Sequence, residues 1–524
     1  MSGYAITSSL RKGLRYFFNE QLMQGFQGGL NLRDAPTELK ASESPSCWNV
    51  TLDERGGVVK RLGYSKWNAS PVTNLIQDSY FSILTGLLFW YSPTDGCLYS
   101  DPGTGVLTLR HTFTAGYRVS LVDFAGLVYA NHPVDGLFQS SAGTSWAATT
   151  KGDHATDIPA GSLLVVWQDK LWSAGDPSNV NRLHYCAPGD ATDWDSADGG
   201  GSVDVREKDD APIIALHGGS GFDFQSLPGL FVFKQDSTYR VSDSGTGAYQ
   251  TIDGQIGAAS KNAVTSLYGE VIFVSRRGIY ITKKLAAVVP AAEQVMPLFD
   301  PSSTDDTTMA DWCAGYNGDR VYFSVTRQGA SANDLALEYA PLYGWVVAGS
   351  NAVGCYQART GTQSEILIGA SPSVVGQLYR MNDGGSDDSA DIASWYETRW
   401  YQVSSGHQAR MNLARLLVRG TSITVTVSND FSVSGGVAET VSVTNNGMSW
   451  GTGVWGIGLW GGESVENYVD LHPRLIARAF KLRFDETSSG TYSMPDLLGS
   501  GASLTVGAWA LYSIDTQYAP LGLT

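Results

Sequence analysis

The chain has 524 residues, of which only 16% are charged, while Gly supplies 60 positions and the aromatic residues are 15 Trp, 25 Tyr and 18 Phe. So few charges argue against long surface helices, and so many aromatic residues exclude a disordered chain. The net charge of −16 excludes a protein that wraps nucleic acid by neutralising its phosphates, which needs clustered Lys and Arg.

In chain order, residues 1–27 come first as a mildly basic arm. Leu10, Leu14, Phe17 or Phe18 and Leu22 recur near helical spacing with Arg11, Lys12 and Arg15 between them. The pattern predicts either a short amphipathic segment that docks on an acidic neighbour or a frayed terminus. The three basic residues precede only Tyr16-Phe17-Phe18 before Asn19-Glu20 interrupt, so no secretory leader is expected. No stretch approaches 18 uninterrupted apolar residues, and a membrane-spanning segment is not expected either. The five cysteines are Cys47, Cys97, Cys186, Cys313 and Cys355; odd in number and without metal-ligand spacing, they read as free thiols in a reducing compartment.

The most informative feature lies further on. Residues 86–100, Gly-Leu-Leu-Phe-Trp-Tyr-Ser-Pro-Thr-Asp-Gly-Cys-Leu-Tyr-Ser, return at 126–140 as Gly-Leu-Val-Tyr-Ala-Asn-His-Pro-Val-Asp-Gly-Leu-Phe-Gln-Ser. Each copy is an apolar run, a Pro-x-Asp-Gly turn and a second apolar run, a β-hairpin written in turn chemistry. Echoes follow at 163–172, 229–241, 269–281, 319–339 and 365–379, making seven hairpins. Strand pairs recurring every 40 to 50 residues or so fit propeller blades, whose neighbours cover the faces that a single blade cannot bury. The expectation is an all-β chain with a β-propeller of about six blades, seven being the alternative, over residues 28–391 with its leading strands.

The propeller is expected to end in the acidic, Gly-rich stretch 382–391, read as a flexible linker; Asp383, Asp387 and Asp391 within it offer oxygen ligands of the kind Ca²⁺ takes. Residues 392–524 then carry strand-like runs. Among them 422–428, Ser-Ile-Thr-Val-Thr-Val-Ser, alternates with period two, and a β-sandwich or platform domain is expected. Trp450, Trp455 and Trp460 stand five residues apart in a Gly-rich ribbon and read equally as an aromatic contact surface or as core plugs. Charge is uneven: residues 1–66 carry 9 Lys and Arg against 6 Asp and Glu, residues 67–391 carry 18 against 35, and residues 392–524 carry 8 against 10. The acidity belongs to the propeller.

No catalytic constellation stands out. The pairs Asp209-Asp210, Asp305-Asp306 and Asp387-Asp388 lie in polar stretches where solvated turns are the plain reading. The seven histidines show no zinc or di-iron spacing, and neither cofactor nor metal is expected. Residues 139–146, Gln-Ser-Ser-Ala-Gly-Thr-Ser-Trp, resemble the aspartate box of sialidase-type propellers, with Ser141 in place of its defining Asp. That box is a structural turn and speaks for a hairpin.

The stretch from Gly28 reads Gly28-Gly29-Leu30-Asn31, then Pro36, Ser44-Pro45, Cys47-Trp48-Asn49-Val50, Asp53, Arg55-Gly56-Gly57, Lys60-Arg61 and Gly63-Tyr64. It resembles the opening of the tail nozzle proteins of short-tailed bacteriophages, also called tail tubular protein B or hub. Residues 187–194, the hairpins at 229–241 and 276–280 and the Trp-Gly ribbon are similar to recurring pieces of that family. The resemblance implies a non-enzymatic structural protein of the virion tail, synthesised in the host cytoplasm. It further implies a homo-oligomeric ring, six-fold, mounted below the head-to-tail adaptor ring and touching tail fibre or spike proteins, with genomic DNA passing the lumen without specific binding. Arg11, Lys12, Arg15, Trp450, Trp455 and Trp460 are the candidate interface residues. The alternative is a glycan-binding or glycan-cleaving propeller protein of a phage tail.

Overall fold

A computed structural model of the protein describes residues 18–53, 56–153, 156–206, 211–218, 229–284, 286–341, 344–359, 366–402, 409–420, 422–429, 437–442, 447–448, 459–460, 467–473, 475–488, 491–495, 503–507 and 509–520. It is nearly all β, and its chain divides into two compact units. One is Tyr64–Pro341 with Ser350–Met381; the other is Met1–Gly63 with Leu342–Gly349 and Asn382–Thr524. The leading strands, expected within the propeller region, therefore group with the C-terminal strands instead.

The first unit is the propeller. Its innermost strands are Asp78–Phe81, Ser120–Phe124, Leu163–Trp167, Ala215–His217, Val264–Leu267, Cys313–Tyr316 and Cys355–Arg359. Each contacts the next, and the last returns to the first. Six of these strands open four-stranded antiparallel sheets, the blade number expected from the sequence. The strand Cys313–Tyr316 opens a further sheet, continued within this unit by Val321–Val325 and Leu335–Ala340. The ring closes non-covalently: Tyr64–Lys66, from the start of the unit, forms the outer strand beside Leu378–Met381.

Burial between blades drives this closure. One apolar cluster joins Phe89, Tyr91 and Leu98 of the first blade to Leu121, Val128 and Ala130 of the second. The next joins Val122 and Tyr129 to Leu164, Leu171 and Trp194, and a third joins Trp172 and Tyr185 to Leu230, Val232 and Tyr239. Each blade buries apolar surface on both sides, worth about 25 cal/mol per Å², and neither side is covered without its neighbour.

The Pro-x-Asp-Gly turns of the repeat have a second task. Asp95 accepts the side-chain amide of Asn74 at 2.9 Å, and Asp135 accepts the backbone N–H and hydroxyl of Thr114 at 2.6 and 2.7 Å. Each aspartate thus pins the connection leading into its own blade. Gly96 needs its φ of +70°, and any Cβ there would strike the carbonyl of Phe113.

Two larger sheets run through the described residues of the second unit. One runs through Asn467–Leu471, Ala409–Gly420, Trp509–Pro520, Val58–Lys60 and Val50–Leu52; the other carries Cys47–Trp48, Ile392–Glu397, Ala479–Ser488, Ser422–Asn429 and Val437–Ser442. They meet where Ile392–Glu397 packs on Val50–Leu52 and Val58–Lys60. The period-two run sorts as expected: Ile423, Val425 and Val427 are buried, while Thr424 and Thr426 are half-buried. Phe18–Gln24 is a strand paired with Trp509–Pro520, which corrects the helical reading of its part of the arm. Local apolar spacing yields to an open strand edge whose backbone groups need partners.

Candidate functional site at the propeller axis

The innermost strands begin at one end of the propeller axis, and four of the seven bring charged or amide side chains there. Asp78 opens the first blade's strand and is 1% exposed. Its Oδ1 receives Arg118 Nη1, Lys261 Nζ and Asn262 Nδ2, each at 3.1 Å, and its Oδ2 receives the Val119 N–H at 3.3 Å. Arg118 reaches on to Asp311 Oδ1 at 2.8 Å, where Gln77 Nε2 also donates at 3.0 Å. Lys261 donates to the Val119 carbonyl as well. Blades one, two and five and the sheet opened by Cys313–Tyr316 are therefore joined across the ring by one charge-assisted network.

Burial by itself would raise the Asp78 carboxyl, but the Lys261 and Arg118 charges outweigh it and hold the group below the usual carboxylate range. Burial wins at Lys261, whose ammonium is pulled below its ordinary value in spite of Asp78. Both oxygens of Asp78 are occupied and the two cations oppose two carboxylates, so the charges of the cluster balance. Beside it lies a cavity of about 140 Å³ lined by Ser79, Val119, Leu121, Leu163, Leu216 and Lys261, large enough for a few water molecules. The Ser120 hydroxyl, also in its wall, donates to the Ser162 carbonyl at 2.9 Å.

Sequence reasoning missed this network. The signal was positional: Asp78, Arg118, Lys261 and Asp311 each stand at or just ahead of an innermost strand. One acidic group was also missed. Asp193, Asp195 and Asp198 bring a carboxylate oxygen each within 4.8 Å of one another, a set that could hold a cation, although Asp195 already accepts the Thr156 N–H at 2.6 Å.

Of the candidate interface residues, Arg11, Lys12, Arg15, Trp450 and Trp455 lie outside the described residues. Trp460 is described for its backbone, in the strand Leu459–Trp460 beside Gly447–Met448. The acidic stretch 382–391 is not a loose linker. Asp387 takes both Nη atoms of buried Arg61, at 2.8 and 2.5 Å, so it is neither a solvated turn residue nor free for Ca²⁺. The Asp305 carboxylate does sit in a turn, accepting Thr307 N–H at 3.0 Å. In the aspartate-box-like segment, Trp146 meets Phe89 edge-on at 5.8 Å. Of the cysteines, Cys47, Cys186 and Cys355 are pushed up to about 12 by burial, which makes them unreactive thiols.

The opening motif forms a polar knot within the second unit. Asn31 donates to Glu43 at 3.1 Å and to Asp34 at 3.0 Å. Asn49, with φ +52°, donates to the Ala393 carbonyl and accepts Arg61 Nε, both at 2.8 Å. Lys60 pairs with Glu486 at 2.7 Å, Trp48 stacks on Trp395 at 5.8 Å, and Asp53 closes its turn on the Gly57 N–H at 2.8 Å. Gly63 admits no Cβ because the Ser386 backbone fills the space.

No protein-family model and no characterised protein sequence matches the chain. Solved structures that it resembles in fold include a streptogramin B lyase, at 10% identity and TM-score 0.42 over 61% of this chain and 97% of that one. The computationally designed Ika8 protein is similar at 12% identity and TM-score 0.38 over 60% and 99%. YCF48 from Cyanidioschyzon merolae is similar at 10% and 0.38 over 61% and 98%. Among the described residues, no helix is long and apolar enough to cross a membrane.

Proposed function

We propose that the protein is a non-enzymatic subunit of a phage tail nozzle, assembling as a homo-oligomeric ring, six-fold, beneath the head-to-tail adaptor and bounding the channel through which DNA leaves. The observation that carries this reading is the opening motif. Asn31, Asn49, Asp53, Lys60 and Arg61, the polar residues behind the family resemblance, are spent on one another, on Glu43 and on the C-terminal strands of the same unit. Residues used in this way build a scaffold.

The axis network supports the same reading, because it turns the middle of the propeller into a rivet. DNA would then run in a lumen between copies, bordered by propellers carrying 19 basic against 31 acidic residues. Such a wall repels phosphates and lets the duplex slide. The virion tail is the location this function requires, and fibre or spike proteins would attach outside the ring.

The test is the native mass and electron micrograph of the full chain, alone and mixed with the adaptor ring of its virion. A six-fold ring on the adaptor is expected. A chain that joins no ring and cleaves or binds capsule polysaccharide as a monomer overturns the proposal in favour of the glycan-directed alternative.

A further inference from the structure

One histidine organises the connection that delivers Arg118 to the axis. His132 is fully buried. Its Nε2 lies 3.0 Å from the Thr114 carbonyl, and its Nδ1 accepts the backbone N–H groups of Val134 and Asp135 at 3.2 and 3.0 Å. Two N–H groups aimed at Nδ1 leave no place for a proton, so the ring is neutral and donates from Nε2 to Thr114. The connection wraps around it: Phe113 stacks on the imidazole at 5.3 Å and Tyr117 meets it edge-on at 5.6 Å. Thr114 is gripped at its carbonyl by His132 and at its N–H by Asp135. Four residues on, Arg118 binds Asp78 and Asp311.

We propose that this arrangement is an acid-sensitive latch, in which protonation of His132 frees the connection 113–119 and loosens the hold of Arg118 on the axis. A proton on Nδ1 points at two backbone N–H groups, and both hydrogen bonds are lost. The titratable and charged groups near the ring are Asp135 on its own turn, Oδ2 3.3 Å from Nδ1, and Tyr117 on the connection packed against it, with His111 on the far side of Phe113 and Arg118 next along the chain after Tyr117. Asp135 favours the imidazolium, but its oxygens already hold Thr114, and turning to His132 gives up that grip. Burial outweighs its pull and keeps His132 below the ordinary histidine value; burial does the same at His111. The other copy of the repeat has no such group: Ser92 stands where His132 stands, and Asn74 where Thr114 stands.

Amide hydrogen exchange on the full chain at about pH 7.5 and about pH 5, corrected for intrinsic rates, tests the latch. Residues 113–119 and 133–136 are expected to lose about tenfold in protection at the lower pH, the equivalent of one pKa unit of linkage, while 230–233 keep theirs. His132→Gln, which can still bond Thr114 but cannot titrate, is expected to abolish the difference, and His111→Gln to retain it. Equal protection of 113–119 at both pH values, or a difference that survives in His132→Gln, overturns the proposal. Should His132→Gln not fold, the titration midpoint of the His132 ring in histidine-labelled wild type is compared with that of the exchange; coinciding midpoints support the latch and separated ones overturn it.

Discussion

Both compact units contain a buried ionic knot, and the two are built in opposite ways. In the second unit Asn49, Lys60 and Arg61 come from one short motif and take Asp387, Ala393 and Glu486 as partners from afar. In the propeller, Asp78, Arg118, Lys261 and Asp311 arrive at or just ahead of four different innermost strands. The first knot is local enough to leave a recognisable word in the sequence. The second exists only once seven innermost strands stand around one axis, so no window along the chain contains it.

The contrast predicts a ranking of substitutions. Asp78→Ala leaves Arg118 and Lys261 facing each other inside the protein and is expected to cost about 3–5 kcal/mol in urea unfolding, the range for breaking a buried pair. Asp387→Ala is expected to cost about 2 kcal/mol, because Arg61 keeps Asn49 and the Leu62 carbonyl as acceptors and Asp387 is less buried than Asp78. Equal losses would break the distinction between a knot that closes a ring and one that staples a sheet edge.

Smaller effects sharpen the comparison at the turns. Asp135→Ala removes two hydrogen bonds from Thr114 and Asp95→Ala those from Asn74 and the Cys97 N–H, so a loss of about 1–2 kcal/mol is expected for each in the same assay. The pH dependence of stability should carry opposite contributions. His132, with its native value lowered, stabilises above the unfolded value and loses that contribution as pH falls below about 6.5. Asp123, raised chiefly by burial, contributes in the other sense, so stability from this group rises as pH falls towards the unfolded carboxylate value. Asp123→Asn, which keeps an acceptor for the Leu84 N–H, is expected within about 0.5 kcal/mol of wild type at neutral pH, the smallest effect of the set.

The seven hairpins read from the sequence fall in the seven successive sheets of the ring. In six of them, the pairs starting at Leu88, Leu127, Leu230, Glu270, Val321 and Ile366, the legible hairpin is the second and third strand of its sheet. Those strands lie between neighbours and are buried on both faces, as Leu88–Ser92 and Leu230–Phe233 show, so their apolar runs are continuous. Outer strands such as Thr108–Thr112 and Tyr249–Asp253 are half-exposed and polar, and nothing in them signals a strand. The closing strand Tyr64–Lys66 was equally silent, because its only reason to be extended is a partner more than three hundred residues away in sequence. The reading of 382–391 as a hinge failed for a similar reason: composition marks it as polar, but Arg61 converts its middle aspartate into an anchor.

By itself the sequence determined the class of this protein, since alternation, turn chemistry and a 40-residue offset are local properties that each segment carries with it. It also determined where the acidity lies. Tertiary structure alone decided that the leading strands join the C-terminal unit, that Phe18–Gln24 is a strand and that four distant charges meet on one axis. These outcomes depend on which backbone edges and buried charges remain unsatisfied after the hairpins have formed, and that is a property of the assembled ring rather than of any segment.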